Sequence, residues 1–174
     1  MYFTRTGTAR TVFLAVFSAA ALLTGIFDAL FPLPVPGMRL GLANVFPLLA
    51  LVVFGPADAV VVAALKTGLA FFLTGNVFAL ACSVGGTLCS LPTAILLYRY
   101  AGARLSLPAI SVASAFAFNL GQMGAVVLMT GEPMIAVYLP VLLLFAAFTG
   151  FAVGALADRL SGRLRQLWKE EAKG

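Results

Sequence analysis

Long apolar stretches follow one another along almost the whole chain, and short segments rich in proline, glycine or charge separate them. They cover residues 11–30, 40–54, 57–73, 77–98, 109–129 and 137–157. Most approach the about 20 residues that an α-helix needs to cross the hydrocarbon of a bilayer. Charged residues make up only 10% of the chain, against about 25% in soluble domains. The chain is therefore predicted to be an all-α integral membrane protein with six transmembrane helices.

The second stretch, residues 40–54, is the shortest and would rise only about 22 Å at 1.5 Å per residue. It contains Pro47, which removes one hydrogen bond from a helix interior. We expect this helix to be short, kinked or extended by the neighbouring loop.

Cations favour one orientation of the bundle. If the amino terminus is cytoplasmic, nine of the 11 Lys and Arg residues lie on the inside, and only Arg39 lies in an outside loop. This bias predicts a multi-pass protein of the cell membrane with both termini in the cytoplasm. The inside residues are Arg5, Arg10, Arg99, Arg104, Arg159, Arg163, Arg165, Lys169 and Lys173.

The basic carboxyl-terminal segment divides the chain into two predicted parts. Residues 1–158 form the six-helix transmembrane domain, and residues 159–174 form a basic amphipathic cytoplasmic tail. Leu160, Leu164 and Trp168 have helical spacing, which suits a helix that lies on the membrane surface. Because the positive charge flanks the membrane, we expect membrane lipid as a partner and no nucleic acid.

Lys66 lies in the middle of the third apolar stretch. A charge at this depth costs about 2.5–3.5 kcal/mol on insertion scales, so its side chain is expected to face a polar interior. Asn44, Asn119 and Gln122 add neutral donors and acceptors within the predicted spans. We expect these four residues to contact a small anionic or amphipathic molecule. Alternatively, the amides bind each other or the backbone, and Lys66 pairs with Asp28 to stabilise the fold.

The loops predicted outside add further candidates. Pro34 and Pro36 stiffen the first loop, and Arg39 supplies a cation at the entrance. Asp28 and Glu132 are predicted to be loop or gating partners. Enzymatic chemistry is not expected: the chain has no histidine, its aspartates are scattered, and it carries no phosphate-binding glycine loop followed by Lys-Ser/Thr. We expect no catalytic residue, metal or cofactor.

Small residues at four-residue spacing indicate close helix packing. They occur as Gly85-x3-Cys89 in the fourth stretch and as Ala146-x3-Gly150-x3-Gly154 in the sixth. The first stretch carries Ala15-x3-Ala19, which packs either within the bundle or against another protein.

Several motifs together resemble one family. They are Pro34-Val-Pro-Gly-Met-Arg-Leu-Gly-Leu-Ala-Asn44, the Lys66 segment with Thr74-Gly75, Ser83-Val-Gly-Gly-Thr-Leu-Cys-Ser90, Asn119-Leu-Gly-Gln122, and Tyr138-Leu-Pro140 followed by Thr149-Gly150. Over about residues 25–157 the chain resembles the Gx transporter family, also labelled heptaprenyl diphosphate synthase component I. The resemblance implies a bundle similar to the S components of energy-coupling factor (ECF) transporters. It also implies that Ala15 and Ala19 dock on a transmembrane coupling subunit.

One position departs from the family pattern. Phe118 stands where the family commonly has a histidine, which leaves an aromatic wall suited to stacking or to an apolar ligand.

Two functions follow as alternatives. The first is a substrate-binding subunit for uptake of a small anionic or amphipathic molecule, energised by a coupling subunit and ATPases. The second is a non-catalytic membrane component that assists a prenyl diphosphate synthase, quinone metabolism or a quinone-linked redox partner. A purely structural role in a larger complex is a third possibility.

Overall fold

The protein, described by a computed structural model, is a bundle of helices. The structure describes residues 8–28, 41–102 and 104–171, with side chains for 10–28, 41–102 and 104–164. Within these ranges there are six α-helices. They are α1 (Thr8–Asp28), α2 (Val45–Val53), α3 (Pro56–Thr74), α4 (Val77–Ala101), α5 (Leu107–Thr130) and α6 (Leu139–Glu171). Short 3-10 turns, Leu42–Asn44 and Pro133–Tyr138, precede α2 and α6.

Five of these helices are long and apolar enough to cross a membrane, which confirms the predicted all-α membrane fold. The second is the exception, because its apolar segment covers only Leu42–Val53. It is short, one of the outcomes expected for this stretch. Pro47 does not interrupt it. The helix begins at Val45, so Pro47 lies in its first turn, where backbone N–H groups have no intrahelical acceptor.

The short helix α2 lies inside the bundle. Eight of its nine residues are buried, and six of them belong to the larger apolar core with side chains from α1, α3, α4 and α6. A helix that is apolar on every side is stable only when neighbours cover it completely. The other helices therefore provide the surroundings that α2 requires.

Glycines bring α4, α5 and α6 close together, as the spacing of small residues predicts. A Cβ at Gly85 of α4 would lie 2.7 Å from the carbonyl oxygen of Gly121 of α5. A Cβ at Gly150 of α6 would lie 2.9 Å from the Cα of Val112 of α5. Backbone thus approaches backbone at both interfaces, and a larger side chain does not fit.

The two ends of the bundle differ in their polar contacts. At the end where α1 and α3 begin, Arg10 donates two hydrogen bonds to one carboxylate oxygen of Asp58, at 3.1 and 2.6 Å. We call this the Arg10 end and the opposite one the Asp28 end. Which end faces the cytoplasm stays a prediction.

Some predictions about the first loop and the carboxyl-terminal segment are not tested by the structure. Arg39, Pro34 and Pro36 lie outside the described residues, so their predicted roles stay predictions. The helix α6 continues to Glu171 without a break at residue 158. The division between a membrane domain and an amphipathic tail likewise stays a prediction.

Candidate ligand-binding site

Two adjoining cavities lie inside the bundle. The first, which we call the hydroxyl cavity, has an empty volume of about 600 Å³, including its open mouth. It lies between α2, α3, α4, α5 and α6. Its lining consists of Gly41, Asn44, Pro47, Leu48, Ala63, Thr87, Ser90, Leu91, Ala94, Ser111, Ser114, Ala115, Phe118, Thr149, Gly150 and Val153.

The second cavity, which we call the polar cavity, lies toward the Asp28 end and has an empty volume of about 390 Å³. Its lining includes both a carboxylate and an amine. It consists of Ala21, Leu22, Gly25, Asp28, Gly41, Ala43, Asn44, Lys66, Thr67, Ala70, Ser83, Thr87 and Phe118. Four residues, Gly41, Asn44, Thr87 and Phe118, line both cavities, so the two spaces share one wall.

The aromatic part of this wall depends on a glycine of α4. Phe118 is buried, and its ring lies directly against Gly86, where a Cβ would come 2.5 Å from a ring carbon. A larger residue at Gly86 would displace the ring. Phe118 therefore gives both cavities an aromatic wall that helix packing holds, and its contact with a ligand stays a prediction.

The amine of Lys66 donates a hydrogen bond to the side-chain oxygen of Asn44. Asn44 stands at the amino-terminal cap of α2, yet its side chain makes no capping bond there. The amide oxygen is directed to Lys66 instead. Two residues that are 22 positions apart in sequence are thus joined at the boundary between the cavities, and their contact with a ligand stays a prediction.

Asp28 holds the chain where it returns to the bundle before α2. Its side chain is only 1% exposed, and one carboxylate oxygen accepts a hydrogen bond of 2.8 Å from the backbone N–H of Gly41. Gly41 has a φ of 86°, a left-handed conformation that favours glycine. The contact lies next to Asn44, so Asp28 connects the loop end to the candidate site.

The remaining loop candidate lies elsewhere. Glu132 is exposed at the start of the 3-10 turn before α6, and its backbone N–H donates to Thr130 Oγ1 at 3.3 Å. It lines neither cavity. Its role as a loop partner stays a prediction.

The two predicted amides of α5 are buried but line neither cavity. Asn119 donates to the backbone carbonyl of Ala115 at 2.9 Å, which is one of the alternatives that the sequence left open. Gln122 is fully buried beside Met123. Ligand contact by Asn119 and Gln122 therefore stays a prediction that the cavity geometry does not support.

Hydroxyl side chains make up much of the site, and the sequence prediction did not include them. Those in the hydroxyl cavity are Thr87, Ser90, Ser111, Ser114 and Thr149. A signal is present on α4, because Ser83, Thr87 and Ser90 recur at spacings of four and three and therefore share a helix face. Such a face among apolar residues indicates a polar interior.

Comparisons with known proteins agree with this architecture. The model of a family described as heptaprenyl diphosphate synthase component I matches residues 17–160. A solved structure, described as that of the S component of a bacterial ECF transporter, superposes with a TM-score of 0.69. The two chains are 21% identical, and the match covers 92% of this chain and 98% of that one. At this identity the likeness shows the fold, which confirms the predicted S-component-like bundle. No curated protein matches the sequence significantly.

Proposed function

Because the chain belongs to the heptaprenyl diphosphate synthase component I family, also called the Gx transporter family, we propose that it is the substrate-binding subunit of a transporter. It captures a small anionic or amphipathic molecule at the boundary between the polar and hydroxyl cavities and acts in the cell membrane. The observation that carries this proposal is the Lys66–Asn44 contact between two adjoining cavities in an S-component-like fold.

The chemistry of the lining supports this class of ligand. Lys66 supplies the positive charge, Asn44 and Thr87 supply neutral hydrogen-bonding groups, and Phe118 supplies an aromatic face. An amine suits a carboxylate or a phosphate, while the aromatic and aliphatic walls suit the apolar part of an amphipathic molecule. Asp28 would act on entry, since it holds the end of the loop next to Asn44.

Energy for transport would come from a partner. The chain carries no phosphate-binding motif of its own, and the fold is that of an S component. We propose that an ECF-type coupling subunit with ATPases supplies the energy and that the chain itself is not an enzyme. Ala15 and Ala19 are exposed on one face of α1, where a partner helix could approach closely.

A second function rests on the description of the family itself. A component of a prenyl diphosphate synthase, or of a quinone-linked redox system, would hold the same kind of amphipathic molecule without transporting it. The two proposals differ in the partner, so the partner decides between them.

The test is mass spectrometry of the proteins and small molecules that copurify with the tagged chain from its own membranes in mild detergent. We expect a coupling subunit and ATPases. The double variant Ala15→Leu with Ala19→Leu should lose these proteins and keep the small molecule. Lys66→Met should keep the proteins and lose the small molecule.

The control is the single variant Ala152→Leu, which makes the same kind of change once, at an exposed position of α6. It should copurify with everything that the unmodified chain retains. A prenyl synthase or redox protein in place of the ATPases would establish the second function. Undiminished small-molecule retention by Lys66→Met would contradict the proposed site.

A further inference from the structure

A third cavity opens on the outer surface of the bundle between α3 and α4. We call it the lateral fissure, and it has an empty volume of about 990 Å³, including its open side. Val84 and Leu88 are exposed along it, on a surface that faces lipid in a membrane protein. Its lining consists of Val60, Ala63, Ala64, Thr67, Gly68, Leu80, Val84, Thr87, Leu88, Leu91, Pro92 and Ile95.

The shape of the fissure follows from the residues on its two walls. The α3 wall carries Ala63, Ala64 and Gly68, whereas the α4 wall carries larger branched side chains. A Cβ at Gly68 would meet nothing within 4 Å, so this position faces open space rather than a neighbouring backbone. Along α4 the lining extends from Leu80 to Ile95, a rise of about 22 Å. The fissure is therefore long and almost entirely apolar.

The inner side of the fissure, which we call its floor, adjoins the candidate site. Thr67 and Thr87 line both the fissure and the polar cavity, and Ala63 and Leu91 line both the fissure and the hydroxyl cavity. Lys66 is the next residue before Thr67. The polar site inside the bundle and the apolar space outside it are thus separated only by these few side chains.

Two of the floor residues, Thr67 and Thr87, carry a buried hydroxyl without a hydrogen-bond partner among the described residues. Thr67 is only 8% exposed, and its Oγ1 has no hydrogen-bond partner in the part of the chain that the structure describes. A buried hydroxyl without a partner is costly, and buried polar groups in native proteins almost always have one. Thr67 lines both the polar cavity and the fissure, so a polar group of a ligand at this boundary would satisfy its hydroxyl.

We infer that the lateral fissure holds the single apolar chain of an amphipathic ligand whose anionic head lies at Lys66 and Asn44. This inference rests on the proposed function and narrows its substrate class. A polar molecule without a chain would leave the fissure unused. A chain alone would gain little from entering it, because lipid tails are equally apolar. The head at Lys66 is what would select this chain over those of the bilayer.

The test uses photolabelling in lipid nanodiscs. The probes are dodecyl phosphate and dodecanoate, each with a diazirine at the end of the chain and each present at a fixed mole fraction of lipid. Labelled positions are mapped by mass spectrometry. For at least one of the two head groups, we expect labels on the α3 and α4 residues of the fissure.

Three variants make the result specific. Gly68→Phe places a large side chain in the fissure, at a position where a Cβ meets nothing within 4 Å, and should lower labelling there at least fivefold. Gly124→Phe is the matched control, because a Cβ at this exposed position of α5 also meets nothing within 4 Å and it lines none of the three cavities. It should label like the unmodified chain. Lys66→Met should lower fissure labelling several-fold, because the head would no longer be held.

Other outcomes would overturn the inference. Equal labelling in Gly68→Phe and Gly124→Phe would show that the chain lies elsewhere. A loss in Gly68→Phe with no effect of Lys66→Met would show that an ordinary bilayer chain fills the fissure. Binding of butyl phosphate or butanoate that depends on Lys66, with no labelling of the fissure by the longer probes, would refute the inference while the proposed binding site stands.

Discussion

The two faces of α4 make very different contacts with their neighbours. Toward α5, Gly85 meets Gly121 so closely that the two backbones touch, and this is the most extensive interface in the bundle. Toward α3, small residues are also present, but Gly68 faces open space. Small residues therefore do not produce close packing by themselves. Close packing requires that the two helices carry small residues at the same position along their contact.

The contrast reflects how α3 is held. It packs mainly on α1 and α2, and the ion pair between Arg10 and Asp58 ties its first turn to α1. Helices α4, α5 and α6 form the other closely packed group. The candidate site and the lateral fissure both lie along the boundary between these two groups. The looser boundary is the part of the bundle in which space for a ligand remains.

The largest effect on stability is expected at the closely packed interface between α4 and α5. Gly121→Leu would place its Cβ against the carbonyl oxygen of Gly85 and 2.7 Å from the sulfur of Cys89. Because backbone cannot yield as a side chain does, we expect a loss of about 3 kcal/mol in stability. Thermal unfolding in mild detergent measures it. Gly124→Leu, on the exposed face of the same helix, serves as the control and should unfold near the unmodified temperature. Equal stability of the two variants would show that the α4–α5 interface is no more tightly packed than the exposed face of α5.

A smaller effect, a gain in stability, is expected at the boundary between the two groups of helices. Thr67→Val replaces the buried hydroxyl by a methyl group of similar size. Since Oγ1 has no partner among the described residues, its removal should raise stability by about 1 kcal/mol. The same unfolding measurement detects it. Destabilisation would mean that the hydroxyl is bonded in the folded protein. Thr93→Val, at a half-buried hydroxyl that donates to the carbonyl oxygen of Cys89 at 2.8 Å, gives the reference value for the loss of such a bond.

The smallest effect on stability is expected for a substitution inside the fissure. Gly68→Leu adds a side chain to open space and replaces glycine in a helix, which favours the folded state by about 0.5–1 kcal/mol in soluble helices. We expect stability equal to that of the unmodified chain or slightly above it. A loss of stability comparable to that of Gly121→Leu would mean that α3 and α4 pack against each other in the membrane. The fissure would then be absent there.

The sequence singled out three residues that line the polar cavity. Lys66, Asn44 and Phe118 lie together there, and Lys66 is bonded to Asn44, but their contact with a ligand stays a prediction. For Asn119 the sequence was insufficient. An amide on a helix can turn toward a ligand or toward the carbonyl four residues before it, and only the position of α5 in the bundle distinguishes the two.

The sequence by itself determined the class of protein and the helices. Long apolar stretches have few alternatives in a bilayer, since each backbone polar group must be bonded within the helix. The tertiary structure alone decided which helix is enclosed, which glycines touch and where space remains. These features depend on the level at which side chains of different helices meet, and the periodicity of a single helix does not contain that information.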